Sequence, residues 1–283
     1  MGKLVEKLRN VGTSSGGGMG FFGRARSTTR SARPAAIAVT LGARDIAAAE
    51  AVIKGGADIV IVTGWKPGMA TDAIKGALEG SDALWGVEAA DDASAENLVR
   101  AAQEAGAAFA ILGPSAPARL LLDDVEKFDL VVTIDPPKDD LSLLILRGEN
   151  LLPAQAALLR ARFTNADLAA LTIADFARLR LVFEGLRFPV IATLGEEPAT
   201  ANVRTLVRMG ADAIVLPGVG VDAAKLADQA RALREELEKI PARPDERGGV
   251  AIGGLMEASG TSLPEQPTRR GPTPEPEPEP EHE

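Results

Sequence analysis

Eight short apolar runs, rich in β-branched residues, punctuate the middle of this chain, and no other feature narrows its choice of fold as much. They are AAIAVTLG from residue 35, ADIVIVTG from 57, ALWGVEA from 83, AAFAILG from 107, DLVVTID from 129, PAQAALLRA from 153, FPVIATLG from 188 and ADAIVLPG from 211. Their starts stand roughly 20 to 35 residues apart, the length of one strand, one helix and two loops. Most of these runs are continuously apolar rather than alternating, which is how strands covered on both faces read, and such strands belong to parallel sheets.

The stretches between them carry helical periodicity, as in DIAAAEAVIKGG, SAENLVRAAQEAG, TIADFARLRLVFEGL, ATANVRTLVRMG and DAAKLADQARALREELEKI. Thr172 and Asp175 match a capping box at the start of the third of these, and Pro241 stops the last. GGADIVIV, AGAAFAIL and MGADAIVL repeat one joint: a helix ends on Gly56, Gly106 or Gly210 in the left-handed cap, and a buried strand follows at once.

The middle is the least regular part. LSLLILRG looks strand-like, but only PPKDD separates it from the preceding run, and a parallel crossover needs a dozen or more residues. DDLSLLILRGENLL is therefore read as the fifth helix and PAQAALLRA as the sixth strand, with a hairpin as the alternative. Eight units in about 200 residues give an α/β architecture, a single (β/α)8 TIM barrel over residues 35–241, with an open doubly wound sheet as runner-up.

Outside that body the composition changes. Residues 1–34 hold seven Lys or Arg against Glu6, and read as a basic, flexible Gly/Ser/Arg-rich arm opened by a short helix, KLVEKLRNV. Residues 242–283 are rich in Pro, Gly and Glu and end in a Pro-Glu repeat; they bury too little to offset ordering and read as a disordered tail. The arm contains GMGFFG, residues 18–23, which spells G-x-G-x-x-G. A dinucleotide loop needs a strand before it and a helix after it, and RARSTTRSARP supplies no helix, so NAD is not expected there. Phe21 and Phe22 read instead as apolar anchors, and Asp45, spaced like a ribose-binding acid, as a helix cap or strand-end residue.

Composition removes several chemistries. There is no cysteine, and the single histidine, His282, lies in the tail, which excludes thiolate chemistry and histidine-based catalysis or metal binding in the barrel. The net charge of −9 argues against a nucleic-acid partner. No long uncharged apolar stretch or signal-peptide core occurs, so the chain reads as cytoplasmic, although Leu4, Val5 and Leu8 make one side of the first helix apolar enough to rest on an anionic membrane surface or a partner.

In a barrel of this kind, strand carboxyl ends and the loops after them share one mouth. The residues there are Thr40 and Gly42, Thr63 with Trp65 and Lys66, Glu88, Gly113 with Ser115, Asp135, Arg160 and Arg162, Thr193 with Glu196, and Gly218 with Gly220. Glu88 and Asp135, ending odd-numbered strands, fall in one layer. Such a pair can hold Mg²⁺ through water and an oxyacid, or divide into acid and base; helix capping is the competing role. Lys66, in TGWKPG, can form a Schiff base or neutralise an anion if the loop desolvates it, and is otherwise an ordinary solvated lysine.

The last quarter, FPVIATLGEEPATANVRTLVRMGADAIVLPGVG, resembles the phosphate-binding and aldolase-type barrels, in which glycine turns after strands seven and eight form an anion site. The resemblance implies that Gly195, Gly218 and Gly220 present backbone amides to a phosphate. The chain departs from that pattern at Glu196 and Glu197, and in carrying Arg160 and Arg162 where Schiff-base aldolases of this group place a lysine. Two functions follow. One is a lyase or isomerase acting on a carboxylated or phosphorylated small molecule, with Glu88, Asp135 and Lys66 catalytic and Thr40, Thr63, Arg160 and Thr193 holding substrate. The other is a non-catalytic barrel serving as a binding or scaffold protein whose tails recruit partners. Oligomeric state is not encoded in any of these features.

Overall fold

The computed structural model describes residues 2–12, 34–89, 94–122, 128–136, 148, 151–195 and 200–241. Eight parallel strands close into a barrel in sequence order: β1 (Ala36–Gly42), β2 (Ile59–Thr63), β3 (Leu84–Glu88), β4 (Phe109–Leu112), β5 (Asp129–Ile134), β6 (Ala156–Phe163), β7 (Val190–Leu194) and β8 (Ala213–Pro217), with β1 paired to β8. The closed ring excludes the open sheet, and PAQAALLRA does supply the sixth strand. Most of the segment expected as the fifth helix lies outside the described residues, as do the GMGFFG loop, Phe21, Phe22 and the tail.

Because successive side chains of a strand point to opposite faces, each strand feeds two cores. Ile37, Val39, Val60, Val62, Ala110 and Leu112 face outward and pack under the surrounding helices. Ala36, Ala38, Ile59, Ile61, Phe109, Ile111, Val131, Ile191 and Val215 fill the barrel interior. Interior volume is balanced locally. Gly86 in β3 lies beside Phe109 in β4, and a Cβ at position 86 would stand 2.6 Å from three ring carbons. The phenyl ring occupies the space that a side chain on β3 would need.

The joints before β2, β4 and β8 take the expected form. Gly56, Gly106 and Gly210 have φ of 111°, 88° and 121°, the left-handed region that a Cβ disfavours. The aspartates that follow two of them serve the strand bases. Asp58 Oδ2 accepts from the Ile37 amide at 3.0 Å, and Asp212 Oδ2 from the Val190 amide at 2.8 Å, so each ties the foot of its own strand to a neighbour. This end of the barrel is structural rather than chemical. The capping box at Thr172 and Asp175 opens the helix Ile173–Gly185, and a second one, not anticipated, at Thr164 and Asp167 opens Asn165–Ala169.

The short helix expected to open the arm is present as α1 (Lys3–Gly12) and is docked on the barrel; residues 13–33 lie outside the described residues. Leu4, Val5 and Leu8 are 0%, 4% and 3% exposed, and Leu4 and Leu8 join the interior cluster at the amino ends of the strands. Asp129, at the foot of β5, accepts from the Leu4 amide at 2.7 Å, answering the unpaired amides of the helix start. A Cβ on Gly2 would collide with that carboxylate. Lys7 Nζ reaches Asp58 Oδ1 at 3.7 Å and Asp82 Oδ2 at 3.1 Å. The apolar side read as a membrane or partner face therefore closes the barrel floor. Among the described residues no helix is long and apolar enough to cross a membrane.

Candidate functional site

At the opposite end, the strand carboxyl termini surround a cavity of about 760 Å³. Its floor is apolar, formed by Ile61, Ile111, Leu158 and Val215 directly above the interior core. Above that floor stands a ring of four threonines, Thr40, Thr63, Thr133 and Thr193, one each from β1, β2, β5 and β7. Threonine suits a strand end because its branched Cβ favours extended backbone while its hydroxyl can bond across to the next strand.

Three of these hydroxyls bond across in that way. Thr40 Oγ1 donates to the Leu216 carbonyl at 3.2 Å, Thr63 Oγ1 to the Leu41 carbonyl at 3.4 Å, and Thr133 Oγ1 to the Leu112 carbonyl at 3.1 Å. A hydroxyl has one proton and two lone pairs, so the ring presents acceptors to the cavity. That inventory favours a ligand that donates hydrogen bonds to it.

Charge enters from two sides. Arg160 and Arg162 line the wall at β6, and Glu88 lines it at the end of β3. The β6–β7 register shifts between Leu159 and Arg162, and all five residues from Leu158 through Arg162 border the cavity. Such an irregularity re-aims side chains near a barrel rim. Arg160 Nη2 donates to Thr133 Oγ1 at 3.4 Å, and its Nε lies 3.5 Å from Asp135 Oδ1. Both partners of that pair are well exposed, and an exposed pair at this distance holds the guanidinium only loosely. Arg162 has no ion-pair or hydrogen-bond partner among the described residues.

Of the residues singled out from sequence, Thr40, Thr63, Glu88, Gly113, Arg160, Arg162 and Thr193 are brought together here. Asp135 sits one step beyond β5, outside the lining, beside Arg160 rather than Glu88. Among the described residues no three carboxylates or histidines are grouped closely enough to hold a metal ion. Lys66 is solvent-exposed and outside the lining; its amide contacts Met69 Sδ at 3.3 Å. Its neighbour Trp65 is 2% exposed and packs edge-on against Trp85, with ring centroids 6.4 Å apart, so the tryptophan belongs to the outer core.

The three glycines of the expected phosphate turn are also outside the lining. Gly195 packs beside Thr164 and Arg162. The Gly218 amide donates to Thr40 Oγ1 at 3.2 Å, and the Gly220 amide to Asp45 Oδ2 at 3.1 Å. Asp45 does not cap the 3₁₀ turn that follows it; its carboxylate occupies an amide that the phosphate-binding pattern would give to a ligand. Glu196 lies outside the described residues.

Thr133 was missed from sequence. The signal for it is parity: Asp129, Val131 and Thr133 share one face of β5, and Thr133 is the last of them within the strand.

No family model matches the sequence, and no curated protein is similar to it at the sequence level. Solved structures match its fold. Orotidine 5′-phosphate decarboxylase from Pyrococcus horikoshii superposes with a TM-score of 0.54 at 15% identity, over 71% of this chain and 100% of that one. A mutant tryptophan synthase α-subunit from Pyrococcus furiosus gives 0.52 at 12% identity over 73% and 97%. Thiamine phosphate pyrophosphorylase from the same organism gives 0.50 at 17% identity over 72% and 98%. The chain shares the (β/α)8 barrel with these enzymes, and identities of this size speak for the fold alone.

Proposed function

We propose that the chain binds a small anionic metabolite at the mouth of its barrel and acts on it as a lyase or isomerase. One observation carries this reading: a cavity of about 760 Å³ at the strand carboxyl ends holds Glu88, Arg160, Arg162 and four threonine hydroxyls above an apolar floor. A mostly apolar concavity with a few convergent polar groups is the usual form of a small-molecule site. The arginines neutralise the ligand anion, the threonines orient its body, and Glu88, on the other side of the mouth, takes or returns a proton. The named structural neighbours include enzymes of phosphorylated compounds, which supports the anion without specifying it.

A second reading, binding without turnover, is favoured by the Gly218 and Gly220 amides, which are satisfied within the chain. A thermal-shift screen with sugar phosphates, 2-oxoacids, flavins and Mg²⁺ tests both. A ligand at 100 times its Kd adds about 2.7 kcal/mol of stability. Catalysis predicts that a stabilising compound is consumed by the native chain, and that Glu88→Gln abolishes consumption while keeping the shift. A stabilising compound that is never consumed establishes the binding protein, and a null screen rejects both.

A further inference from the structure

We infer that the anion-binding centre of this barrel lies on β6, at Arg160 and Arg162, and that the turn after β8 is closed to anions by the chain's own Asp45. The inference rests on the reading of the mouth as a ligand site and goes on to say where its charge is held and what ligand fits.

At β8 the two amides that could cradle an anion are both engaged. Gly218 donates to Thr40 Oγ1, and Gly220, at φ 72°, donates to Asp45 Oδ2 at 3.1 Å. The loop is held in shape by a carboxylate, and a ligand anion arriving there meets that negative charge at close range, where repulsion is strongest. Asp45 is also fitted to its place: a Cβ on Gly42 would come within 2.7 Å of its Oδ2.

On β6 the situation is reversed. Arg160 and Arg162, two residues apart on β6 where its pairing with β7 shifts, both line one wall of one cavity. Among the described residues Arg160 is restrained only by Thr133 at 3.4 Å and by the solvent-exposed Asp135, and the Arg162 side chain has no partner. Guanidinium forks match phosphate and carboxylate oxygens in geometry as well as in charge.

The rest of the cavity describes the rest of the ligand. Thr40, Thr63 and Thr133 each direct their proton to a strand carbonyl, and with the Gly218 amide on Thr40 and Arg160 on Thr133, one lone pair remains on each of those two and two remain on Thr63. Glu88, when ionised, is likewise an acceptor. Groups that meet these are hydroxyls. The ligand class is a polyol carrying one terminal anionic group, with its anion on β6 and its hydroxyls across the threonine ring toward Glu88.

Calorimetric titration of the full chain with ribose 5-phosphate, gluconate, inorganic phosphate and erythritol tests this. We expect one or both anionic polyols to bind more tightly than inorganic phosphate or the neutral polyol. A preference for ribose 5-phosphate marks a phosphate head, and one for gluconate a carboxylate. Arg160→Gln and Arg162→Gln should each weaken that binding about tenfold or more, the range for a charged hydrogen bond. Asp45→Ala, which frees the Gly220 amide and removes a carboxylate, should leave anion binding unchanged or tighten it, and should not weaken it. Far-ultraviolet circular dichroism of each variant checks that the barrel is intact.

The inference is overturned if both arginine variants bind like the native chain, if erythritol binds as tightly as the acids, or if Asp45→Ala weakens the anions about tenfold. Binding of other small molecules that ignores the arginines would overturn this placement while sparing the proposed function. Failure of every probe here and of every class in the thermal screen would remove both.

Discussion

Replacing Gly86 by alanine is a change whose sign depends on one contact. Gly86 is buried in β3 with ordinary strand torsions, and at such a position alanine normally stabilises, by about 0.4–1 kcal/mol, through the entropy of the unfolded chain. Here the new Cβ would lie 2.6 Å from three ring carbons of Phe109. Phe109 is itself fully buried, so the ring can yield only by disturbing the core around Val131 and Ile111. Overpacking of this kind costs about 1–3 kcal/mol, which against that gain leaves a net loss of up to about 2.6 kcal/mol. Urea unfolding followed by circular dichroism gives the number, read as a fall in midpoint at constant m. Phe109→Leu shortens the ring side and should relieve the strain, so the double variant should be more stable than the sum of its parts by at least about 0.5 kcal/mol. Alanine at 86 that stabilises by the ordinary gain of about 0.4–1 kcal/mol, or a strictly additive pair, would refute the claim that this glycine seats that ring.

Two further expectations concern the floor of the barrel. Leu8→Ala, which empties space beneath the strands, should cost about 2–5 kcal/mol in the same urea assay, and a loss of a few tenths would show that α1 only rests on the barrel. Burial holds the Asp129 carboxyl above its ordinary pKa, against the opposing hydrogen bonds from the Leu4 and Val5 amides. The folded chain therefore keeps this proton more tightly than the unfolded chain. The contribution is full below the unfolded pKa of about 4 and is lost as pH rises through the raised folded value. Asp129→Asn keeps an acceptor for the Leu4 amide and removes the titration, so its stability relative to the native chain should climb with pH from about 4 upward. A difference that stays level across that range would show that the carboxyl is not desolvated.

What the residues decide alone is the repetition. Continuous apolar runs at the spacing of a strand plus a helix, and left-handed glycines at 56, 106 and 210, can be satisfied only by parallel strands under helices, and eight such units close a ring. The carboxyl ends of the strands follow from the same runs, which is why Thr40, Thr63, Glu88, Arg160 and Thr193 were legible as mouth residues. Those are local properties of period and propensity.

Partnership is not local. Whether Glu88 faces Asp135 or Arg160, whether Lys66 projects inward, and whether the amides of Gly218 and Gly220 are open or taken depends on residues far apart in the chain, as with Asp45 and Gly220. The helix of residues 3–12 makes the same point. Its apolar side is plain in the sequence, but what covers it was settled by barrel closure, which leaves the amino ends of eight strands needing a floor and places Asp129 under the Leu4 amide. Periodicity states that a face must be buried, and only the tertiary structure, by bringing distant surfaces within contact range, decides against what.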